Sequence, residues 1–536
     1  MKYIGRIIKW KNINIPLLIF LVLFLNVKLV IKLVAIVFIV AYSKNLKFGD
    51  LLKTSRFPLF YALIILIEPL KYLLITRNFS FNYATVFCLG MLQWGFSLIA
   101  LYYIKIIIEK ESVQKVHNTI KVFFTINFLV SLFFLSLLLF QPSLLTFWNH
   151  GSDISFSHPS AGDAILGVSF DASTVNAAIN CMGLLYFIYR NEYKYCLICL
   201  LTIALCTSNV SFLLVSAILS LMFVTVRTKK LRLVVFTTGI VLVLSYLVMS
   251  PNNRQYIRNY FVQLYIVNKN PEILTATEKE LNFPPIKDSS KINIDSLETF
   301  RNIVLRQAEE ERRKKMDSVY SFNEKKLGKA VTNLFSVKKK VPDDGIPQLV
   351  LTNEDFMSKP GKLISFFQTY NYLTSGIKNF IFGSGTGNFS SKLAFRASGV
   401  NIQGTYPAKY QYISPEFREN HLKTFSFYFN GPASLHSVIN YPFSVYNQLP
   451  GEYGFLGVTL FAVFYLGFFL KRFRFLTYGR YMIPLLLAFL ITEYWLELYS
   501  LVVMFELFMF LNIKENEDRE KNAPSNSYSP DNNSSH

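Results

Sequence analysis

The chain has 536 residues, 52% hydrophobic and 16% aromatic, and only 17% are charged. A soluble protein of this size carries about 25% charged residues. That excludes an ordinary soluble globular enzyme, and the continuous apolar runs point to helical membrane spans rather than a β-barrel. The net charge of +21 would suit a nucleic-acid binder. The basic residues instead cluster in short connections between apolar runs, as topology signals do, and nucleic acid is set aside.

Twelve apolar runs follow in chain order: Ile15–Leu25, Leu29–Tyr42, Phe57–Ile75, Tyr83–Ile108, Val122–Leu139, Val175–Tyr189, Tyr195–Leu205, Ser211–Val226, Leu233–Met249, Tyr453–Leu470, Leu476–Ile491 and Tyr494–Leu511. No small-residue cleavage site follows the basic start, so the first run is expected to remain as a span. The first two runs are short and also fit one tilted helix, with Lys28 and Lys32 snorkelling. Basic clusters follow every second run: Lys44 to Arg56, Lys105 to Lys121, Arg190 and Lys194, Arg227 to Arg232, and Lys471 to Arg480. The alternate connection 141–173 has no Lys or Arg. Twelve spans place all the clusters on one side, with both termini cytoplasmic.

The expected fold class is therefore an all-α polytopic membrane protein with about 12 transmembrane helices and one large extracytoplasmic loop. Residues 1–249 form a bundle of about nine spans, 250–452 the loop, 453–513 the last three spans, and 514–536 a disordered cytoplasmic tail. Within the loop, Ser296–Phe335 reads as a charged amphipathic helix on the membrane surface, and Lys362–Phe380 as a second helix.

The five cysteines fall in apolar runs or, for Cys206, directly after one. Cys196-x-x-Cys199 has redox-like spacing, but YCLICLL reads as packing. His150, His158, His421 and His436 fall in outer loops, and none is spaced to bind zinc. A lone loop histidine of this kind is a hydrogen-bonding surface residue by default. Glu493, Glu497 and Glu506 lie in or near the last spans, as functional carboxylates or as interhelical contacts. Glu68 reads as packing.

The stretch from Ile381 to Gly457 concentrates the chemistry. IFGSGTGNF (Ile381–Phe389) has alternating glycines that free the backbone for positive φ and could aim amides at phosphate oxygens. A tight structural turn is the plainer reading, since neither Walker nor dinucleotide spacing is present. Lys392, Arg396, Lys409, Arg418 and Lys423 interleave with Tyr406, Tyr410 and Tyr412. That set suits an anionic glycan-lipid, with guanidinium on pyrophosphate and aromatic faces on sugar rings. Arg254 and Arg258 could join them.

Three segments carry a resemblance. IFGSGTGNF, YNQLPGEYGFLG (Tyr446–Gly457) and GVSFDASTVNA (Gly167–Ala177), with one large outer loop before the last spans, resemble the O-antigen polymerase/ligase superfamily. FSSKLAFRASG (Phe389–Gly399) and YPAKYQYISPEF (Tyr406–Phe417) are similar to a subfamily from Bacteroidetes surface-polysaccharide loci. The chain departs from the family where Thr207-Ser208-Asn209 lacks an arginine, where Asp171-Ala172-Ser173 replaces Asp-Pro-Asn, and where Pro442-Phe443-Ser444 replaces a His-Asn pair.

The resemblance implies a GT-C-like bundle in the bacterial inner membrane. It implies a metal-independent glycosyltransferase without cofactor, polymerising undecaprenyl-pyrophosphate-linked repeats at the periplasmic face beside a flippase and a chain-length regulator. Arg396 and Arg418 are then expected on pyrophosphate, with Lys392, Lys409, Arg254, Arg258, Tyr446 and Gln448 also binding substrate. His436 or Glu452 is expected as general base. A ligase using the same donor is the alternative enzyme. A transporter is the alternative of another class, although it predicts polar residues across many spans.

Overall fold

The structure, a computed structural model, describes residues 12–42, 57–141, 164–249, 359–399, 406–429 and 438–522. The expected surface helix Ser296–Phe335 lies outside these residues, as do His436, Arg254 and Arg258.

The described residues are helical, with no strand among them. The first nine helices are α1 (Ile15–Phe24), α2 (Leu29–Tyr42), α3 (Phe60–Lys71), α4 (Phe81–Lys110), α5 (Val113–Phe140), α6 (Ser173–Arg190), α7 (Tyr193–Cys206), α8 (Asn209–Thr225) and α9 (Lys229–Met249). Then come α10 (Gly361–Thr374), α11 (Ile377–Phe382), α12 (Lys392–Ala397), α13 (Lys423–Phe429), α14 (Val445–Leu460), α15 (Gly479–Phe489) and α16 (Ser500–Asn522). Each of the twelve apolar runs overlaps one of these helices. Among the described residues three stretches are long and apolar enough to cross a membrane: Phe81–Lys110, Val113–Phe140 and Val445–Phe475. Leu213 and Val224 on α8, and Leu233 and Phe236 on α9, stay exposed, as apolar side chains facing lipid do.

Local signals set the helix ends. Ser80, Ser112 and Ser208 each accept a hydrogen bond from a first-turn amide of α4, α5 and α8. Asn191 ends α6 in the left-handed conformation, and the Glu192 amide reaches back to the Phe187 carbonyl (3.1 Å). The first two runs form an antiparallel hairpin, α1 and α2, rather than one tilted helix. Lys32 does not snorkel. It is buried and donates to the Phe24 carbonyl (2.9 Å) and the Asn26 carbonyl, satisfying the C-terminal end of α1. The expected helix Lys362–Phe380 breaks at Ser375-Gly376 into α10 and α11.

Two helices occupy the centre. Every residue of α6 from Val175 to Ile188 is buried, as is every residue of α16 from Leu501 to Leu511, so both are surrounded by protein. Tyr186 packs on Phe508 and on Tyr478. One end of the bundle gathers Lys121 and His117 on Glu192, Arg190 on Glu515, and Lys514 on the Ile108 carbonyl. The opposite end carries α10 to α13 and the loop 164–172.

Candidate functional site

The two ends of the Ile381–Gly457 stretch lock together. The amides of Ser384 and Gly385 donate to the carbonyls of Gly451 and Glu452, each at 2.9 Å. Gly454 interrupts α14 at φ 65°, ψ −164°, and a Cβ there would lie 2.4 Å from the Ile381 carbonyl oxygen. A Cβ on Gly383 (φ +64°) would lie 2.6 Å from the Glu452 carbonyl carbon. Neither position admits a side chain. Gly385 and Gly387 also have positive φ, as the alternating pattern predicts. The Ser384 and Gly385 amides are spent on protein carbonyls, so at those positions the loop is a joint rather than a phosphate cradle.

Glu452 has no exposed surface. Its Oε1 accepts from the Ser391 hydroxyl at 2.6 Å and, at a long 3.5 Å, from the Phe389 amide. Its Oε2 has no hydrogen-bond partner among the described residues. A buried ion pair on α3 supports the joint from the other side. Lys71 meets Glu68 at 2.9 Å and donates to the Glu452 carbonyl at 2.7 Å. Thr386 donates to the other oxygen of Glu68 at 2.7 Å.

Ser391 caps α12, accepting from the Ala394 amide at 3.0 Å. On this helix Lys392 and Arg396 stand four residues apart, on one face. Lys392 pairs with Asp171 at 3.3 Å. The Leu393 amide donates to Glu497 Oε2 at 2.9 Å, and Gln448 Nε2 donates to Glu497 Oε1 at 2.5 Å. Glu497 feels the charges of both Lys392 and Arg396, and buried Lys32 feels Asp171, Lys392 and Arg396. Cations and carboxylates from four distant segments therefore surround one helical turn.

The loop bearing Asp171 is fixed from within the bundle. Asn127 accepts from the Val168 amide (3.0 Å) and donates to Asn176 (2.8 Å), which in turn donates to the Ile165 carbonyl (3.1 Å). Phe170, just before Asp171, is left-handed at φ 50°, and Tyr499, two residues after Glu497, has φ 28°. Such bulky residues with positive φ are strained, and strain of this kind collects at sites held in place by their surroundings.

Of the residues proposed from sequence, Lys392, Arg396, Gln448 and Glu452 converge here. Tyr446 is 40% exposed and donates its hydroxyl to the Leu487 carbonyl (3.0 Å), fastening α14 to α15. Arg418 pairs with its neighbour Glu419 at 2.8 Å, its side chain 42% exposed. Lys409 is exposed, with its ammonium 5.6 Å from the Tyr410 ring centroid. Glu506 bridges helices, accepting from Tyr61 (2.9 Å) and Tyr465 (3.1 Å).

His421 is fully buried rather than a surface residue. Its Nε2 faces the Ser365 carbonyl at 3.0 Å, so Nε2 carries the proton. Its Nδ1 then accepts from the Ser390 hydroxyl at 2.6 Å, which in turn accepts from Tyr494 at 2.7 Å. Burial pushes its pKa down to about 3. Lys362 is likewise buried. It donates to the carbonyl of Phe443 (2.5 Å), just before α14, and to that of Ile491 (3.0 Å), just past the C-terminal end of α15. Burial lowers its ammonium pKa, with Glu493 acting against that shift. Neither residue carries a spacing signal. Only the fold shows that a loop lysine and a loop histidine turn inward.

No protein-family profile, curated protein or solved structure matches the chain.

Proposed function

We propose that the chain is an inner-membrane glycosyltransferase that polymerises undecaprenyl-pyrophosphate-linked oligosaccharide repeats. In this reading the apolar helices make twelve spans of a GT-C-like bundle. Both termini are cytoplasmic, and the end carrying α10 to α13 faces the periplasm. The basic end, with Lys121, Arg190 and Lys514, then faces the cytoplasm, in keeping with the charge rule.

One observation carries the reading: Lys392 and Arg396 stand one turn apart on α12, between the carboxylates of Asp171 and Glu497. A lipid pyrophosphate is already a good leaving group. The reaction needs cations for its developing charge and a positioned acceptor hydroxyl more than a strong nucleophile. Lys392 and Arg396 supply the first, and Glu497 beside them the second. Arg418, turned toward Glu419, contributes less than the sequence suggested.

The test is the single change Arg396→Ala in the native host. We expect the long-chain polysaccharide ladder to collapse to single repeats. A full-length ladder in that strain would overturn the reading. Defined lipid-linked repeats fed to the purified protein separate a polymerase, which makes ladders, from a ligase, which makes one addition.

A further inference from the structure

We propose that Glu497, positioned by Gln448, is the carboxylate that takes the acceptor hydroxyl's proton, and that Glu452 is a structural cap. This rests on the glycosyl transfer proposed above. Glu452 is wholly enclosed; its Oε1 accepts from the Ser391 hydroxyl at the start of α12, and its Oε2, although without a partner among the described residues, is equally shut off from an incoming hydroxyl. Replacing it alters the support of that helix, not the reacting atoms.

Glu497 is different on three counts. It lies in the turn between α15 and α16 and keeps part of its surface exposed. Its Oε2 receives the amide of Leu393, the residue next to Lys392, so it is keyed to the helix that carries both cations. Its Oε1 receives Gln448 Nε2, and Gln448 is four residues before Glu452 on the same face of α14. Each oxygen keeps a further lone pair for a hydroxyl proton. Asp171 is already engaged with Lys392, so it orients that ammonium.

The step balances as a single displacement. The acceptor O–H gives its proton to Glu497 while its oxygen bonds to the anomeric carbon. The bond from that carbon to the phosphate oxygen breaks, and its electron pair leaves on the lipid pyrophosphate beside Lys392 and Arg396. Glu497 then releases the proton to solvent. The product linkage is inverted relative to the donor.

The experiment uses the full chain in nanodiscs. Undecaprenyl pyrophosphate is the binding probe, and lipid-linked repeats purified from the native host are the substrate. Glu497→Gln should lower transfer about 100-fold or more and leave probe binding unchanged. Glu497→Asp should recover part of the rate, with a shifted acid limb in the pH profile. Glu452→Gln should lower thermal stability and leave the acid limb of the remaining activity in place. The assignment is overturned if Glu497→Gln transfers at the wild-type rate or loses probe binding together with rate. It is also overturned if Glu452→Gln removes the acid limb, or if the product keeps the donor's anomeric configuration. A wild-type protein that neither binds the probe nor extends the repeats instead removes the proposed function, and this assignment falls with it.

Discussion

Lys71 donates to the backbone carbonyl of Glu452 at 2.7 Å while pairing with Glu68 at 2.9 Å. One buried ammonium thus joins α3 to the kink of α14. Replacing it by methionine leaves a buried carboxylate without its cation, and leaves the Glu452 carbonyl to the Gly385 amide and Glu68 to the Thr386 hydroxyl. We expect Lys71→Met to cost about 3–5 kcal/mol, read as a lowered melting temperature in detergent. The double change Glu68→Gln, Lys71→Met should be less destabilised than Lys71→Met alone. Equal losses would mean that the pair is not the contact that matters.

Gly454→Ala combines a positive φ with a carbonyl oxygen 2.4 Å from the new methyl. The expected cost is about 2–5 kcal/mol, with the proposed polymerase activity lost as the joint opens. A methyl added to Gly95 on α4 would meet nothing within 4 Å. Gly95→Ala should therefore leave expression and activity at the wild-type level, and a like loss in both variants would refute the steric account.

Arg396 and Arg418 should separate. Arg418→Ala removes a half-exposed side chain paired only with its sequence neighbour among the described residues, a contact worth about 0–1 kcal/mol. Ladder length in the native host should be unchanged by Arg418→Ala. Lys392→Ala, which also strands Asp171, should shorten the ladder as Arg396→Ala does.

His421 predicts an acid sensitivity. Its folded pKa, held down to about 3 by burial, lies below the ordinary value near 6.5. The unfolded chain therefore binds the extra proton between those two values, so this contribution is complete above about 6.5 and shrinks as pH falls toward 3. The slope is at most about 1.4 kcal/mol per pH unit. His421→Phe should show a flatter melting temperature between pH 7.5 and pH 5 than the wild type, whatever its absolute stability. A parallel decline in both proteins would argue against the neutral, Nε2-protonated ring.

The helices were legible because lipid-facing and core positions are both apolar, so each run announces itself without tertiary information. How many of them cross a membrane is not read from hydropathy alone: α15 has 11 residues and α6 is fully enclosed by protein. The glycine pattern correctly signalled positive φ, since a left-handed backbone is a local property. The partner of that loop was not local, because Gly451 and Glu452 are reached only through tertiary contact. The same holds for Lys32 and His421. Sequence position placed the lysine at a lipid boundary and the histidine on an outer surface, whereas backbone carbonyls drew both inward. Lys392 and Arg396 were recognised as a basic set, but nothing in their spacing identified Asp171 or Glu497 as their neighbours.

The interlocking of Gly383 with Glu452, and of Gly454 with Ile381, bears on biosynthesis. The glycine loop emerges from the ribosome well before the segment it grips, and α12 waits longer still for Glu497. A nascent chain that stops before α14 has the cations of Lys392 and Arg396 without the joint that seats them. The site should therefore arise in one late event, when α14 to α16 enter the bundle. Fragments lacking those helices should have no partial activity, and supplying the missing helices as a separate polypeptide is the way to recover it.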